Sequence, residues 1–96
     1  MYDQVLRRMR DKIREENYIM TLHARREMNN DCLSILDVEN CILHGNISER
    51  QQDQETAVWK YRICWQMYYG CGMEVIAKLS LTGKLVIITV YRTYLI

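Results

Sequence analysis

A chain of 96 residues is long enough for one core and too short to divide, so a single domain over residues 1–96 is expected. Hydrophobic residues at 49% and charged residues at 26% are ordinary globular usage and exclude disorder, collagen-like repeats and coiled-coil bias. The formal net charge of +1 excludes a polybasic protein that holds nucleic acid by bulk charge alone.

From Asp3 to about Glu16 the apolar residues Val5, Leu6, Met9 and Ile13 recur at helical spacing among charges, which predicts an amphipathic helix ended by Asn17 and Tyr18. Thr21 is placed to cap a short second helix from Leu22 to about Asn29, broken by Asn29, Asn30 and Asp31. Ser34 opens a third helix. Asp37, three residues on, takes the place of Glu in a capping box, Ile35, Val38 and Ile42 form the apolar stripe, and Gly45 is the stop.

After Gly45 the period changes to two. Ile47 to Gln51 reads as a weak first strand. Val58 to Tyr68 alternates, with Trp59, Tyr61, Ile63, Trp65 and Met67 on one face and Lys60, Arg62, Cys64 and Gln66 on the other. Met73, Val75, Ala77, Leu79 and Leu81 repeat the pattern, and Thr82-Gly83 marks a tight hairpin. The last strand, Lys84 to Arg92, is apolar on both faces as far as Thr89, which places it inside the sheet. The expected class is α+β, with three N-terminal helices packed on one face of a four-stranded antiparallel sheet.

Charge is unevenly spread. Residues 1–31, 32–57 and 58–96 carry +1, −4 and +4, so the total conceals an acidic middle and a basic last third. Met1 leads into Arg7, Arg8, Arg10 and Lys12 without an apolar run, and the longest apolar stretch, Leu85 to Val90, is far short of a membrane span. A cytoplasmic protein with no membrane contact is therefore expected, with Cys32, Cys41, Cys64 and Cys71 as reduced thiols. There is no C-x-x-C pair, and Cys41 with His44 is at most half a zinc site, so neither metal nor cofactor is expected.

Three places have chemical potential. His23 and Arg26 lie three apart on one face of the second helix, with Glu27 one turn beyond His23. Imidazole beside guanidinium suits phosphate chemistry, since one moves a proton and the other grips phosphate oxygens; the plain alternative is a solvated helix face. Lys60, Arg62, Lys78 and Arg92 fall on even positions of the strands. With Tyr68, Tyr69 and the two Trp residues they would make a basic, aromatic surface for single-stranded RNA, or an ordinary solvated sheet. The run Ile87-Ile88-Thr89-Val90-Tyr91-Arg92 passes from core to polar residues and delivers Tyr91 and Arg92 to the sheet's end.

Four motifs stand in order along the chain, Tyr18-x-x-Thr21-x-His23-Ala24-x-x-Glu27-Met28, Leu33-Ser34-x-x-Asp37-Val38, Gly45-x-Ile47-x-Glu49 and Ile87-Ile88-Thr89-Val90-Tyr91-Arg92, and the likeness they carry covers about residues 13–92. In order and spacing they resemble a small bacterial family of unknown-function domains with a T-x-H-A-x-x-R-M helix and an I-T-V-Y-R last strand. That family is grouped with the BrnT and RelE/ParE-like toxins and, more distantly, with the barnase and colicin ribonucleases. The resemblance implies a RelE/barnase-like fold and a toxin-like, metal-independent ribonuclease encoded beside an antitoxin-like partner. Carried over by position, His23 matches the family's helix His, Arg26 or Glu27 lies near its following charged position, and Tyr91-Arg92 match its strand end. In such a ribonuclease His23 is expected as general acid or base, Arg26 and Arg92 as stabilisers of phosphate charge and Tyr91 to orient the phosphate, while Lys60, Arg62 and Lys78 of the basic sheet face are the residues expected to hold RNA. The chain departs from the family at Asp31, where an Arg is usual after the Met. Loss of that cation keeps open a second reading, a non-catalytic module that docks a partner protein or dimerises through a Tyr- and Trp-rich sheet surface.

Overall fold

The computed structural model describes residues 1–68 and 70–94. Helix α1 (Asp3–Arg14) buries Leu6, Met9 and Ile13 on one stripe, as its spacing requires. Helix α2 (Leu22–Asn30) starts where Thr21 accepts the Ala24 N–H, and α3 (Ile35–His44) starts with a complete capping box between Ser34 and Asp37. Helices α1 and α3 are joined through Arg10, whose Nε and Nη2 donate to the Ile42 and Gly45 carbonyls at 2.9 and 2.8 Å. A cation on α1 thus satisfies carbonyls left open at the end of α3. Gly45 stops α3 for want of space: a Cβ there would overlap the carbonyl oxygens of Cys41 and Cys64, while the backbone itself is extended.

The sheet has five strands: β1 (Tyr18–Met20), β2 (Asn46–Gln52), β3 (Trp59–Tyr68), β4 (Cys71–Leu79) and β5 (Leu85–Tyr94). Their order is β1-β5-β4-β3-β2. The four antiparallel strands expected are β2 to β5. The fifth, β1, corrects that expectation: Tyr18, Ile19 and Met20 pair parallel with Leu85, Val86 and Ile87. Three residues are too few to show alternation, and their partner lies nearly the whole chain away.

Trp59, Tyr61, Ile63 and Trp65 share the helix-covered side of β3, and Met73, Val75 and Ala77 oppose them from β4. With Met9, Val38, Ile42, Leu85, Ile87 and Val90 these residues make the core, and no charged or polar residue among those described is buried in it. Leu81 departs from the expected apolar face. It sits in the β4–β5 turn, 92% exposed, where Gly83 supplies the positive φ of 88°.

A β-bulge then decides where β5 aims its side chains. Ala77 pairs with Ile87 but Ile76 pairs with Thr89, which leaves Ile88 as the extra residue. The alternation therefore inverts. Leu85 and Ile87 are buried before the bulge and Val90 after it. Arg92 comes to lie opposite Met73 on the helix side, and Tyr91 opposite Glu74 on the open side.

Candidate functional site

Beyond Ile87, β5 has no strand neighbour on its β1 side, because β1 ends at Met20. Helix α2 takes over that edge. The Thr21 N–H and hydroxyl donate to the Ile87 and Ile88 carbonyls at 3.0 and 3.1 Å. Glu27 Oε1 accepts the Val90 N–H at 3.1 Å, and Asp31 Oδ2 accepts the Arg92 N–H at 2.8 Å. The spacing is a match of periods: one helical turn of four residues rises about 6 Å, close to the roughly 6.6 Å between alternate residues of a strand. Two carboxylates one turn apart can therefore continue the ladder along β5. Asp31, which the sequence marked only as a missing cation, is one of these acceptors.

His23 sits one turn before Glu27. Its Nε2 lies 3.0 Å from Glu27 Oε1, and the imidazole side chain is 67% exposed. The carboxylate that orients the imidazole is thus itself fixed by the main chain of β5. Arg26 is exposed three residues further along α2, adjacent to His23 on the helix surface. The pair keeps the arrangement expected for it.

Arg92 and Tyr91 do not join them. The Arg92 Nε donates to the Asp31 carbonyl at 3.1 Å and Nη2 to the Cys32 carbonyl at 3.2 Å, while Nη1 donates to the Tyr68 hydroxyl at 2.9 Å and to Cys71 Sγ at 3.0 Å. Four of its five N–H groups are used in tying β5 to the α2–α3 turn and to the facing ends of β3 and β4. Charge is shared around this cluster. The Tyr68 hydroxyl, assisted by Arg92, lowers the Cys71 thiol pKa against the effect of burial, and Tyr68 and Arg92 are raised in return, each chiefly by its bond to Cys71.

Tyr91 lies across the sheet, its hydroxyl 2.9 Å from Glu74 Oε1, with a pKa pushed up to about 12 by burial and by that carboxylate. The bulge at Ile88 is the reason. It also corrects the expected set of even-numbered cations, since Arg92 leaves the face shared by Lys60, Arg62 and Lys78.

That open face is not the basic surface expected. Arg62 Nη2 meets Glu49 at 2.8 Å and its Nε approaches Glu74 at 3.5 Å, while Lys78 meets Asp53 at 2.9 Å. A hydrogen bond from the Lys78 ammonium, with one from the Glu55 N–H, holds the Asp53 carboxyl down at about 2. Glu49 and Asp53 belong to the acidic middle of the chain, which folds back onto the basic strands and cancels them. Lys60 has no carboxylate within ion-pair distance among the described residues. Nor is the face rich in Tyr and Trp: Trp59 and Trp65 lie on the helix side, and Tyr69 falls outside the described residues.

Among the described residues no three His, Cys, Asp or Glu side chains cluster as metal ligands, and no helix is long and apolar enough to cross a membrane. Residues 20–92, about three quarters of the chain, match the family described as a domain of unknown function (DUF4258). No curated protein and no solved structure matches the chain.

Proposed function

Because the chain belongs to the DUF4258 family, whose function is unknown, we propose its activity from its own geometry: toxin-like, metal-independent cleavage of RNA on the outer face of α2. The observation that carries this reading is the exposed His23 imidazole, held at 3.0 Å by a carboxylate that β5 keeps in place. In the reaction His23 takes the proton of a ribose 2′-hydroxyl. The 2′ oxygen bonds to the adjacent phosphorus as the bond to the 5′ oxygen breaks, giving a 2′,3′-cyclic phosphate and a 5′-hydroxyl end that takes up a proton. Arg26 holds the non-bridging oxygens as charge develops on them. Arg92 and Tyr91 take no direct part in this scheme, because their polar groups are already engaged in holding the fold. The resemblance to BrnT and RelE/ParE-like toxins supports the same reading and adds an antitoxin-like protein as partner.

His23→Ala is expected to lower RNA cleavage by about a hundredfold or more, and Arg26→Ala by a similar order, with unchanged circular dichroism and melting temperature. Folded variants that cleave as well as the parent would contradict the assignment. A second reading, a non-catalytic module that docks a partner protein, is favoured by the separation of Arg92 and Tyr91 from His23. It takes over if the purified parent leaves RNA intact while a stoichiometric protein partner co-purifies.

A further inference from the structure

The outer edge of β1 carries a second, independent feature. β1 ends the sheet, so one side of it has no strand neighbour. The ladder to β5 uses the Asn17 carbonyl, which accepts from Leu85, and the Thr21 N–H, which donates to Ile87. In a parallel ladder these groups alternate along the strand, so Ile19 turns its N–H and C=O towards β5 while Tyr18 and Met20 turn theirs outward. Beside this edge lies an open groove of about 650 Å³ between β1, α2 and α3, lined among others by Tyr18, Ile19, Ile35, Arg25, Glu16 and Glu39. Two of its lining residues, Ile19 and Ile35, are exposed large hydrophobics.

The charges at the groove are of both signs. Arg25 has no carboxylate within ion-pair distance among the described residues, while Glu16 and Glu39 lie in the same groove, Glu39 accepting the Tyr18 hydroxyl. A two-fold axis sets the same patch against itself, so a cation on one side of the axis can meet a carboxylate on the other.

We propose that a second copy of this chain docks on that edge, β1 against β1 in antiparallel fashion, with the two-fold axis passing at Ile19. In this register Tyr18 of each copy is opposite Met20 of the other, and the outward N–H and C=O groups of both residues pair, giving four main-chain hydrogen bonds. Ile19 faces Ile19 in a non-hydrogen-bonded pair, the closer of the two antiparallel spacings. The two five-stranded sheets become one of ten strands. The exposed apolar residues are covered, and Arg25 of each copy meets the acidic side of the other groove. Neither His23 nor Arg26 takes part, so the proposal stands apart from the ribonuclease reading.

Sedimentation equilibrium over a wide concentration range tests it. The parent is expected to dimerise reversibly, and Ile19→Lys, which sets two cations face to face at the axis, to weaken the dimer by about tenfold or more while leaving the fold intact. Arg25→Glu should weaken it too, and adding Glu16→Arg should restore it. As a second measurement, Ile19→Cys under mild oxidation should give a covalent dimer linked through position 19, identified by peptide mass spectrometry against the four native cysteines. A parent that stays monomeric at every concentration overturns the proposal. So does a folded Ile19→Lys variant that dimerises as tightly as the parent.

Discussion

At the α2–β5 seam the carboxylates of Glu27 and Asp31 accept from main-chain N–H groups, whereas on the open sheet face Glu49 and Asp53 pair with the Arg62 and Lys78 cations, and Glu74 accepts from the Tyr91 hydroxyl with Arg62 Nε at 3.5 Å. The consequences differ. At the seam the acids close an otherwise unpaired strand edge and leave the nearby His23 and Arg26 side chains turned to solvent. On the open face the acids spend the cations that RNA would need. A basic balance along the sequence therefore does not make a basic surface, and an acid in place of an expected Arg is not by itself a loss. What matters is whether the partner of each charge is main chain or another charge, because the first builds the scaffold and the second neutralises it.

Changes on the seam should accordingly cost far more stability than changes on the face. Arg92→Ala removes a guanidinium that bonds Asp31, Cys32, Tyr68 and Cys71, and should lower unfolding free energy by about 3 kcal/mol in urea titration. A loss below about 0.5 kcal/mol would show that the cluster is not holding β5 to the helices. Glu27→Ala leaves the Val90 N–H without its acceptor and frees His23, for about 1–2 kcal/mol. Glu27→Gln keeps an acceptor oxygen and should recover most of that stability, while loosening the hold on the imidazole.

The smallest effect is expected on the open face and is read best by pH. Because folding depresses the Asp53 carboxyl from 3.8 to about 2, its contribution is whole above about pH 4 and is lost as pH falls towards 2. Amide exchange in the β2–β3 connection should rise through that window, and Asp53→Asn should remove the pH dependence. An unchanged profile in the variant would mean that Lys78 and Asp53 do little to hold that connection.

The caps, the three helices and four of the strands could be read from residues that act locally: Thr21, the Ser34–Asp37 pair, Gly83 and the alternation of β3 and β4. Two features could not. β1 is defined by strand pairing with residues far along the chain, and Tyr18-Ile19-Met20 has no pattern of its own. The bulge at Ile88 hides because Ile87 and Ile88 are both apolar, so nothing in the sequence shows that side-chain direction inverts between them. From that one residue follow the two misplacements at the site: Arg92 counted with the open face, and Tyr91 expected beside His23. The nearness of His23 to Glu27 was visible in their spacing. That Glu27 and Asp31 close a strand edge was not, because it depends on where β1 stops.

We propose that the seam leaves the His23 imidazole free to move protons while its other polar groups hold the fold. Incubating purified parent, His23→Ala and Arg92→Ala with the same single-stranded RNA, and resolving the products and their 2′,3′-cyclic phosphate ends, tests it most directly. The expected result is cleavage by the parent, its loss in folded His23→Ala, and cleavage by Arg92→Ala in proportion to the fraction that remains folded. Equal cleavage by the parent and His23→Ala, or a fully folded Arg92→Ala that has lost cleavage, would contradict it.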